Sequence, residues 1–441
     1  MSIFKKASLL MFGQGINTLI NFVFMPYMAR SLSYEDYGSY GQTLVVIGLF
    51  AGVFSFGLSQ IVYIFFSQDN ESNKHVLTNN LLITLLSSIT AYAIILSFSN
   101  ILAGVMGNQL IQKLIKIYGF SLLFSPINAS FHSNYIYQNK VKISIFILIL
   151  VNLLRISLVI LVIGIYNDIV LVFYVLTFIS LLETLFHLVA SKNYLKKTFD
   201  FKSMRSQLKT GFPIGLTSLF GIGIIYSDSV MVSNLLGVKE YAVYRNGAFE
   251  VPFISTIYGS IAAIILPEIS KLWVNRNNSD IIKLKKKVIT NTVSIIYPIV
   301  FFLFFNSKDI IVLYLGSNYE KSAIIFSVFN LTLLYRVNDY TDILIIANKT
   351  KFILLSNLLV FIINLILNYI LIQLLGSSVG AAYATVISIF FLAFILLKKS
   401  LKYLNCKFKD IVEIEKILKL SILSITSVIA IKFYSFKLKT H

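Results

Sequence analysis

Long apolar stretches recur along almost the whole chain, and they limit its fold more than any other feature. A helix that crosses a bilayer needs about 20 mostly apolar residues. Twelve stretches meet this need: 8–29, 40–66, 78–99, 114–135, 143–165, 169–190, 211–235, 247–270, 288–306, 322–346, 352–375 and 378–397. We therefore predict an all-α polytopic membrane protein with about 12 transmembrane helices.

The amino-acid composition agrees with a membrane protein and leaves one segment open. Hydrophobic residues make up 57% of the chain and charged residues 13%, against about 25% charged in ordinary soluble domains. A thirteenth apolar stretch, 418–436, is interrupted by Lys432, and it is expected either to span the membrane or to lie at its surface. The stretch after Lys5 and Lys6 is too long and too polar for a cleavable signal peptide, so it is expected to be the first membrane helix.

The net charge of +19 comes from basic residues in the short segments between the apolar stretches. With the N-terminus in the cytoplasm, 26 lysines and arginines fall in cytoplasmic segments and 7 in external ones. This asymmetry predicts a cytoplasmic N-terminus and basic loops beside an anionic lipid bilayer. The basic residues are not interleaved with aromatic residues on one polar face, so we expect no nucleic-acid partner.

The sequence lacks the usual signals of metal sites, cofactor sites and catalytic domains. Cys406 is the single cysteine, and the four histidines, at 75, 132, 187 and 441, lie far apart along the sequence, so no metal site is expected. Phosphate-binding and dinucleotide-binding glycine motifs are absent, so no cofactor is expected. The longest external segment, 307–321, is too short for a catalytic domain. Transport is therefore favoured over enzymatic activity.

Two pairs of similar segments suggest an internal duplication. Residues 32–40 match 236–244 at an offset of 204, and Asn152 and Gly164 match Asn364 and Gly376 at an offset of 212. Two parallel six-helix halves would place a binding site at their interface. The predicted division is an N-terminal bundle at 1–190, a basic cytoplasmic linker at 191–210, a C-terminal bundle at 211–397 and a basic tail at 398–441.

Motifs spread over almost the whole chain resemble one family in their order and spacing. They lie at 25–40, 56–60, 211–216, Asp228, 237–244, 266–272, 314–319, Asn364, Asn368 and 376–385. In these motifs the chain resembles the polysaccharide-transport branch, with Wzx-type flippases, of the multidrug/oligosaccharidyl-lipid/polysaccharide (MOP) exporter superfamily.

The resemblance implies a V-shaped pair of six-helix bundles, as in MATE transporters of that superfamily, in the bacterial cytoplasmic membrane. It implies alternating access, and it implies as substrate an undecaprenyl-pyrophosphate-linked oligosaccharide that moves from the inner to the outer leaflet. The product would serve the O-antigen, capsule or exopolysaccharide pathway, whose polymerase and chain-length regulator would be partners.

Arginines inside the predicted helices are the first candidates for substrate binding. A charge at the bilayer centre costs about 2.5–3.5 kcal/mol on insertion scales, and a guanidinium donates two hydrogen bonds to adjacent phosphate oxygens. Arg155 and Arg336 are therefore expected to attract the pyrophosphate, although Asp339 could instead neutralise Arg336 along one helix face. Arg30 and Arg245 are expected to meet the head group at release or to anchor helix ends.

Acidic residues in the helices are candidates for ion coupling or for pairing with these arginines. They are Glu183, Asp228, Glu250, Asp339 and Asp342. His187 follows Glu183 by four residues, on the same helix face, and could share a proton with it or form a structural polar pair. Asp228 is central in the seventh helix and is expected to pair with an arginine or bind the coupling ion.

Two other transport functions and one enzyme stay open at this stage. A cation-coupled multidrug exporter and a lipid II flippase belong to the same superfamily. A repeat-unit polymerase, a membrane enzyme, would need a large external loop with catalytic residues.

Overall fold

The structure is a computed structural model of the 441-residue chain. It describes residues 3–55, 76–138, 140–191, 200–251, 268–338, 341–347 and 349–439, together with the single positions Leu58, Leu195, Ile254 and Ile265. All regular elements within these ranges are helical, as the long apolar stretches predict. The motif at 56–60 lies outside these ranges except for Leu58, as do most of the predicted eighth helix and Asp339.

The first half of the chain forms helices that overlap the predicted ones but differ from some of them in length. The predicted second helix, 40–66, starts earlier, at Tyr34, and the predicted seventh, 211–235, extends over 201–247. The helices are α1 Ile3–Ser31, α2 Tyr34–Phe54, α3 Val76–Val105, α4 Leu110–Gly119, α5 Ser125–Tyr137, α6 Val141–Tyr166, α7 Ile169–Ala190 and α8 Phe201–Gly247. A 3-10 turn, Phe120–Leu123, connects α4 to α5. The predicted fourth helix, 114–135, is thus two short helices, with Pro126 beside the break.

The second half follows the same plan. Its helices are α9 Asn278–Phe305, α10 Ser307–Leu315, α11 Ser322–Asn330, α12 Asp342–Ile346, α13 Thr350–Leu375, α14 Val379–Leu404, α15 Phe408–Ile411 and α16 Ile414–Lys439. The predicted tenth helix, 322–346, is also broken, because the 3-10 turn Leu331–Val337 is followed by extended backbone at Asn338. The fourth helix of each predicted half is therefore interrupted.

Eight helices in the described part of the chain are long and apolar enough to cross a membrane. Many of their large apolar side chains point outward: Phe146 and Ile165 of α6 are 64% and 67% exposed. Such surfaces need a lipid environment. Segment 418–436 lies within α16; whether it spans the membrane stays a prediction.

The chain divides into two compact units, Met1–Ala242 and Val243–His441. The boundary falls inside α8 rather than in the basic segment 191–210. Part of that segment, from Phe201 onward, is helical. Lysine, arginine and glutamine are good helix formers, so a helix can continue past the apolar stretch that crosses the bilayer.

The duplicated motif at 32–40 and 236–244 marks equivalent breaks between helices. Ser33 caps α2 with extended backbone, and its hydroxyl accepts a hydrogen bond from the Asp36 N–H at 3.0 Å. Gly237, at the offset of 204, interrupts α8 with φ of 82° and ψ of 179°. The offset of 212 does not align the ends of α6 and α13. Gly376 caps α13 in the left-handed region, and the residue that caps α6 in the same conformation is Asn167, not Gly164.

The predicted ninth helix, 288–306, begins ten residues earlier, at Asn278. The segment 271–287 is therefore not a simple basic loop. Ile281 and Lys285 in the added turns are buried, at 0% and 5% exposure. Lysines in this segment were counted as cytoplasmic charges by sequence, but Lys285 lies in the interior of the second unit.

Gly380 allows α13 and α14 to pack closely. A Cβ atom at Gly380 would collide with the carbonyl group of Leu371. We expect Gly380→Ala to destabilise the protein by about 1–3 kcal/mol, because the backbone atoms it meets cannot rotate away. The measurement is the thermal midpoint of the full-length protein in detergent.

Gly164→Ala is the matched control, since a Cβ there meets nothing within 4 Å inside α6. An alanine in a helix interior is expected to add about 0.5–1 kcal/mol of stability. Equal destabilisation by both variants would contradict the close packing assigned to Gly380.

Candidate functional site

Arg155 lies in α6, on the face that packs against α1. Its Nη2 donates to the Oδ1 atom of Asn21 at 3.2 Å and to the Oδ1 atom of Asn152 one turn earlier. The Asn152 amide donates in turn to Asn17 at 2.7 Å. Asn17 and Asn21, both in α1, lie beside the arginine. Asn152, Asn17 and Asn21 thus form an amide cluster around one guanidinium, here called the Arg155 cluster.

The described part of the chain places no acid against the Arg155 cluster. Among the residues that the structure describes, Arg155 forms no ion pair, and the acceptors it contacts are uncharged amide oxygens. An arginine in a membrane helix normally pairs with an acid or faces a cavity, because its charge is costly in hydrocarbon. Arg155 as a whole is half-buried. The arrangement can therefore accept an anion with two adjacent oxygens.

Arg336 has a different environment. It lies in the 3-10 turn that follows α11, and its Nη2 lies 2.5 Å from the Oε1 atom of Glu250. Asp339, the partner considered from spacing, lies outside the described residues. The fold thus brings together Arg336 and Glu250, which are 86 residues apart in the sequence. This ion pair leaves Arg336 less suited than Arg155 to attract an anion.

The two outer arginines occupy ends of helices. Arg30 is exposed at the end of α1, and Arg245 is partly buried near the end of α8. Each makes a further interaction within the protein. Their places agree with anchoring at helix ends, whereas a contact with a head group stays a prediction.

Asp342 forms a buried ion pair that sequence reasoning did not predict. It begins α12, and its Oδ2 atom lies 2.5 Å from Nζ of Lys285 in α9. The two side chains are 3% and 6% exposed. A buried charge pair of this kind holds two elements together, because either charge alone would be left without compensation. No local sequence signal marks it, since 57 residues separate the partners.

Asp228 is buried at 5% exposure in α8, and it interacts with another part of the protein. Its depth agrees with the predicted central position in the seventh helix. Burial distinguishes it from an exposed acid at a helix end. Its proposed role in ion coupling stays a prediction.

Glu183 and His187 of α7 lie together, as their spacing predicts, and a third residue joins them. The Glu183 Oε1 atom is 3.6 Å from Nε2 of His187 and 3.2 Å from Nε2 of His132 in α5. The histidines lie far apart along the sequence, so no metal site was expected. The fold nevertheless brings His132 and His187 together. No local sequence pattern connects His132 to Glu183, since 51 residues separate them.

The comparison with known proteins decides the family. A family model described as "Polysaccharide biosynthesis protein" matches residues 3–273. The chain belongs to this family. No curated protein sequence gives a significant match.

Solved structures share the fold of this polysaccharide biosynthesis family member. The lipid II flippase MurJ, in an inward closed conformation, is 19% identical with a TM-score of 0.75; the match covers 95% of this chain and 92% of MurJ. An inward-facing multidrug resistance MATE family transporter of the MOP superfamily is 14% identical with a TM-score of 0.72, over 88% of this chain and 94% of the transporter. A MOP superfamily transporter from Pyrococcus furiosus is 15% identical with a TM-score of 0.62, over 91% of this chain and 95% of the transporter.

These relatives confirm the fold class predicted from the sequence, an all-helical membrane protein of the MOP type. They are described as flippases and transporters rather than enzymes. This agrees with the expectation of a transport protein, and it gives no support to the repeat-unit polymerase.

Proposed function

We propose that this family member flips a polyprenyl-pyrophosphate-linked oligosaccharide from the inner to the outer leaflet of the bacterial cytoplasmic membrane. Undecaprenyl is the lipid we propose, and the repeat unit would serve an O-antigen, capsule or exopolysaccharide pathway. Membership of the polysaccharide biosynthesis family and the MOP fold support this function. A polymerase and a chain-length regulator of the same pathway would act on the product.

The observation that carries the proposal is the Arg155 cluster. A pyrophosphate is a dense anion with adjacent oxygens, and a guanidinium whose described contacts are uncharged amides matches it in charge and geometry. The amides of Asn17 and Asn21 can donate to and accept from sugar hydroxyl groups beside the pyrophosphate. Head group and pyrophosphate would thus contact one polar cluster, while the lipid tail stays in the bilayer.

The charge of this cluster separates the proposed function from one of its two alternatives. A cationic drug would be repelled by Arg155, so the cluster disfavours a multidrug exporter of cations. A lipid II flippase would carry the same pyrophosphate, and it differs only in the sugar that the protein accepts. Lipid II is therefore the second candidate, and a substrate comparison tests it.

Ion coupling is a separate part of the proposal. Glu250 and Asp342 have cationic partners at 2.5 Å, so we assign them to structural pairing. Asp228 is buried within α8. We propose it as the acid that couples transport to a proton or cation, because a buried carboxylate is stabilised when it binds either one.

The test is translocation by the full-length protein in proteoliposomes. A fluorescent undecaprenyl-pyrophosphate oligosaccharide is added, and an impermeant quencher reports its fraction in each leaflet. We expect the protein to speed equilibration at least about tenfold over empty vesicles, because it lowers the cost of moving the polar head group. Rates equal to empty vesicles would contradict the proposal.

Two control substrates sharpen this test. Fluorescent undecaprenyl monophosphate, without sugar or pyrophosphate, is expected to move no faster than in empty vesicles. Fluorescent lipid II moving faster than the oligosaccharide would favour the lipid II flippase instead.

A further inference from the structure

The residues His132, Glu183 and His187 bring three metal-binding atoms together in the first compact unit. His132 lies in α5, and Glu183 and His187 lie one turn apart in α7. Their ligand atoms all lie within 4.8 Å of one another. Two imidazole nitrogens and one carboxylate oxygen form a set that suits zinc and other first-row transition metals. We call this set the His–Glu–His site.

Two of the three ligand distances in the His–Glu–His site are close to those around a tetrahedral ion. Zinc lies about 2.0–2.1 Å from histidine nitrogens, so the edges of a regular tetrahedron of ligands are about 3.4 Å long. The Glu183 Oε1 atom is 3.2 Å from the His132 nitrogen and 3.6 Å from the His187 nitrogen. A small rotation of the rings would place one ion in contact with all three atoms.

The second nitrogen of each histidine already has a partner. Nδ1 of His132 lies 2.9 Å from the Ser144 hydroxyl in α6, and Nδ1 of His187 lies 3.2 Å from the Tyr135 hydroxyl in α5. Ser191 donates to that tyrosine oxygen at 3.1 Å. Outer contacts of this kind fix the ring orientation of metal-binding histidines, so that the other nitrogen faces the metal.

The Nε2 atom of His187 gives a second, independent indication of a cation-binding position. His187 is fully buried, and its Nε2 atom makes no hydrogen bond in the structure. Buried polar atoms almost always have a partner, because the unpaired state costs about 1–3 kcal/mol. A metal ion shared with Glu183 would satisfy this nitrogen.

One side of the His–Glu–His site is covered by apolar side chains, and the other side is partly exposed. Phe131 stacks on the His187 ring with centroids 5.3 Å apart, and it is fully buried among apolar side chains. His132 and Glu183 are 18% and 16% exposed, so one side of the site is open. That open side leaves a fourth position for water, as in three-ligand zinc sites.

We propose that His132, Glu183 and His187 bind one divalent transition-metal ion, of which Zn²⁺ fits the ligand set best. The ion would join α5 to α7 near the end of α7 that precedes the basic segment 191–210. This inference does not depend on the substrate that the protein carries.

The test measures metal binding to the full-length protein in detergent. The chain is stripped with a chelator and dialysed against ZnCl₂ alone, and bound zinc is counted by elemental analysis. We expect about one ion per chain, a higher thermal midpoint with zinc than without it, and loss of affinity on the order of 100-fold or more in the double variant His132→Gln/His187→Gln. Zinc content that is equal in the two proteins would overturn the proposal.

Two further variants separate metal binding from packing. Asn128→Ala removes another contact between α5 and α7, since Asn128 accepts from the Thr184 hydroxyl at 2.7 Å, and it is expected to keep its zinc. Tyr135→Phe removes an outer contact and is expected to weaken binding about 10- to 100-fold. Loss of zinc by Asn128→Ala equal to that of the double variant would count against the assigned ligands.

A spectroscopic measurement covers the case in which the double variant does not fold. Co²⁺ bound to the wild-type protein is expected to give the intense visible bands of tetrahedral nitrogen and oxygen ligands. Weak octahedral bands, or a thiolate band from Cys406, would overturn the proposal.

Discussion

Arg155→Ala is expected to slow translocation of the lipid-linked oligosaccharide about 10- to 100-fold. Hydrogen bonds to charged groups contribute about 1.5–3 kcal/mol, and each 1.4 kcal/mol changes a rate or a binding constant tenfold. The variant removes the guanidinium but leaves Asn21 and Asn152, which contact it in the wild-type protein. The measurement is the initial rate in proteoliposomes at equal protein content.

Arg155→Lys and Lys142→Ala are the companion variants. Lysine keeps the charge without the two-pronged geometry, so we expect an intermediate rate. Lys142 is an exposed cation near the start of the same helix, and its removal is expected to leave the rate unchanged. Full activity in both Arg155 variants would rule out the substrate role of this arginine.

The second large effect is expected for stability. Asp342→Ala should destabilise the second compact unit by about 3–5 kcal/mol, because it removes the carboxylate that lies 2.5 Å from the buried Lys285 ammonium group. The measurement is chemical unfolding of the full-length protein in mixed micelles, followed by circular dichroism.

The double variant Lys285→Met/Asp342→Leu distinguishes a lost ion pair from lost packing. Apolar residues of similar size can replace a buried ion pair with little loss of stability, so the double variant should be more stable than Asp342→Ala. Lys283→Ala breaks an exposed pair with Asp280 in the same helix and is expected to cause no measurable change. A double variant as unstable as Asp342→Ala would contradict the assigned pairing.

Parts of the site that depend on local spacing can be predicted from the sequence. Glu183 and His187 are four residues apart, so one helix places them on one face whatever the rest of the fold does. Arg155 is conspicuous because a charge within an apolar stretch needs a reason. Both features follow from helix geometry and the cost of charge in lipid.

Partners from distant helices cannot be predicted in this way. His132 joins Glu183 across 51 residues, and Glu250 joins Arg336 across 86. Lys285 resembles its exposed neighbours in sequence, yet it is buried against Asp342. Which faces of two helices meet depends on packing over the whole unit, and no short sequence pattern specifies it.

The apolar stretches by themselves determined that this protein is an all-helical membrane protein. The reason for this is general: lipid offers no hydrogen bonds to the backbone, so each apolar stretch must be a helix. The tertiary structure decided which polar groups inside that bundle meet. It left Arg155 among amides, neutralised Arg336 and Lys285 with carboxylates, and turned one predicted pair into the His–Glu–His site, because only packing brings groups from different helices within bonding distance.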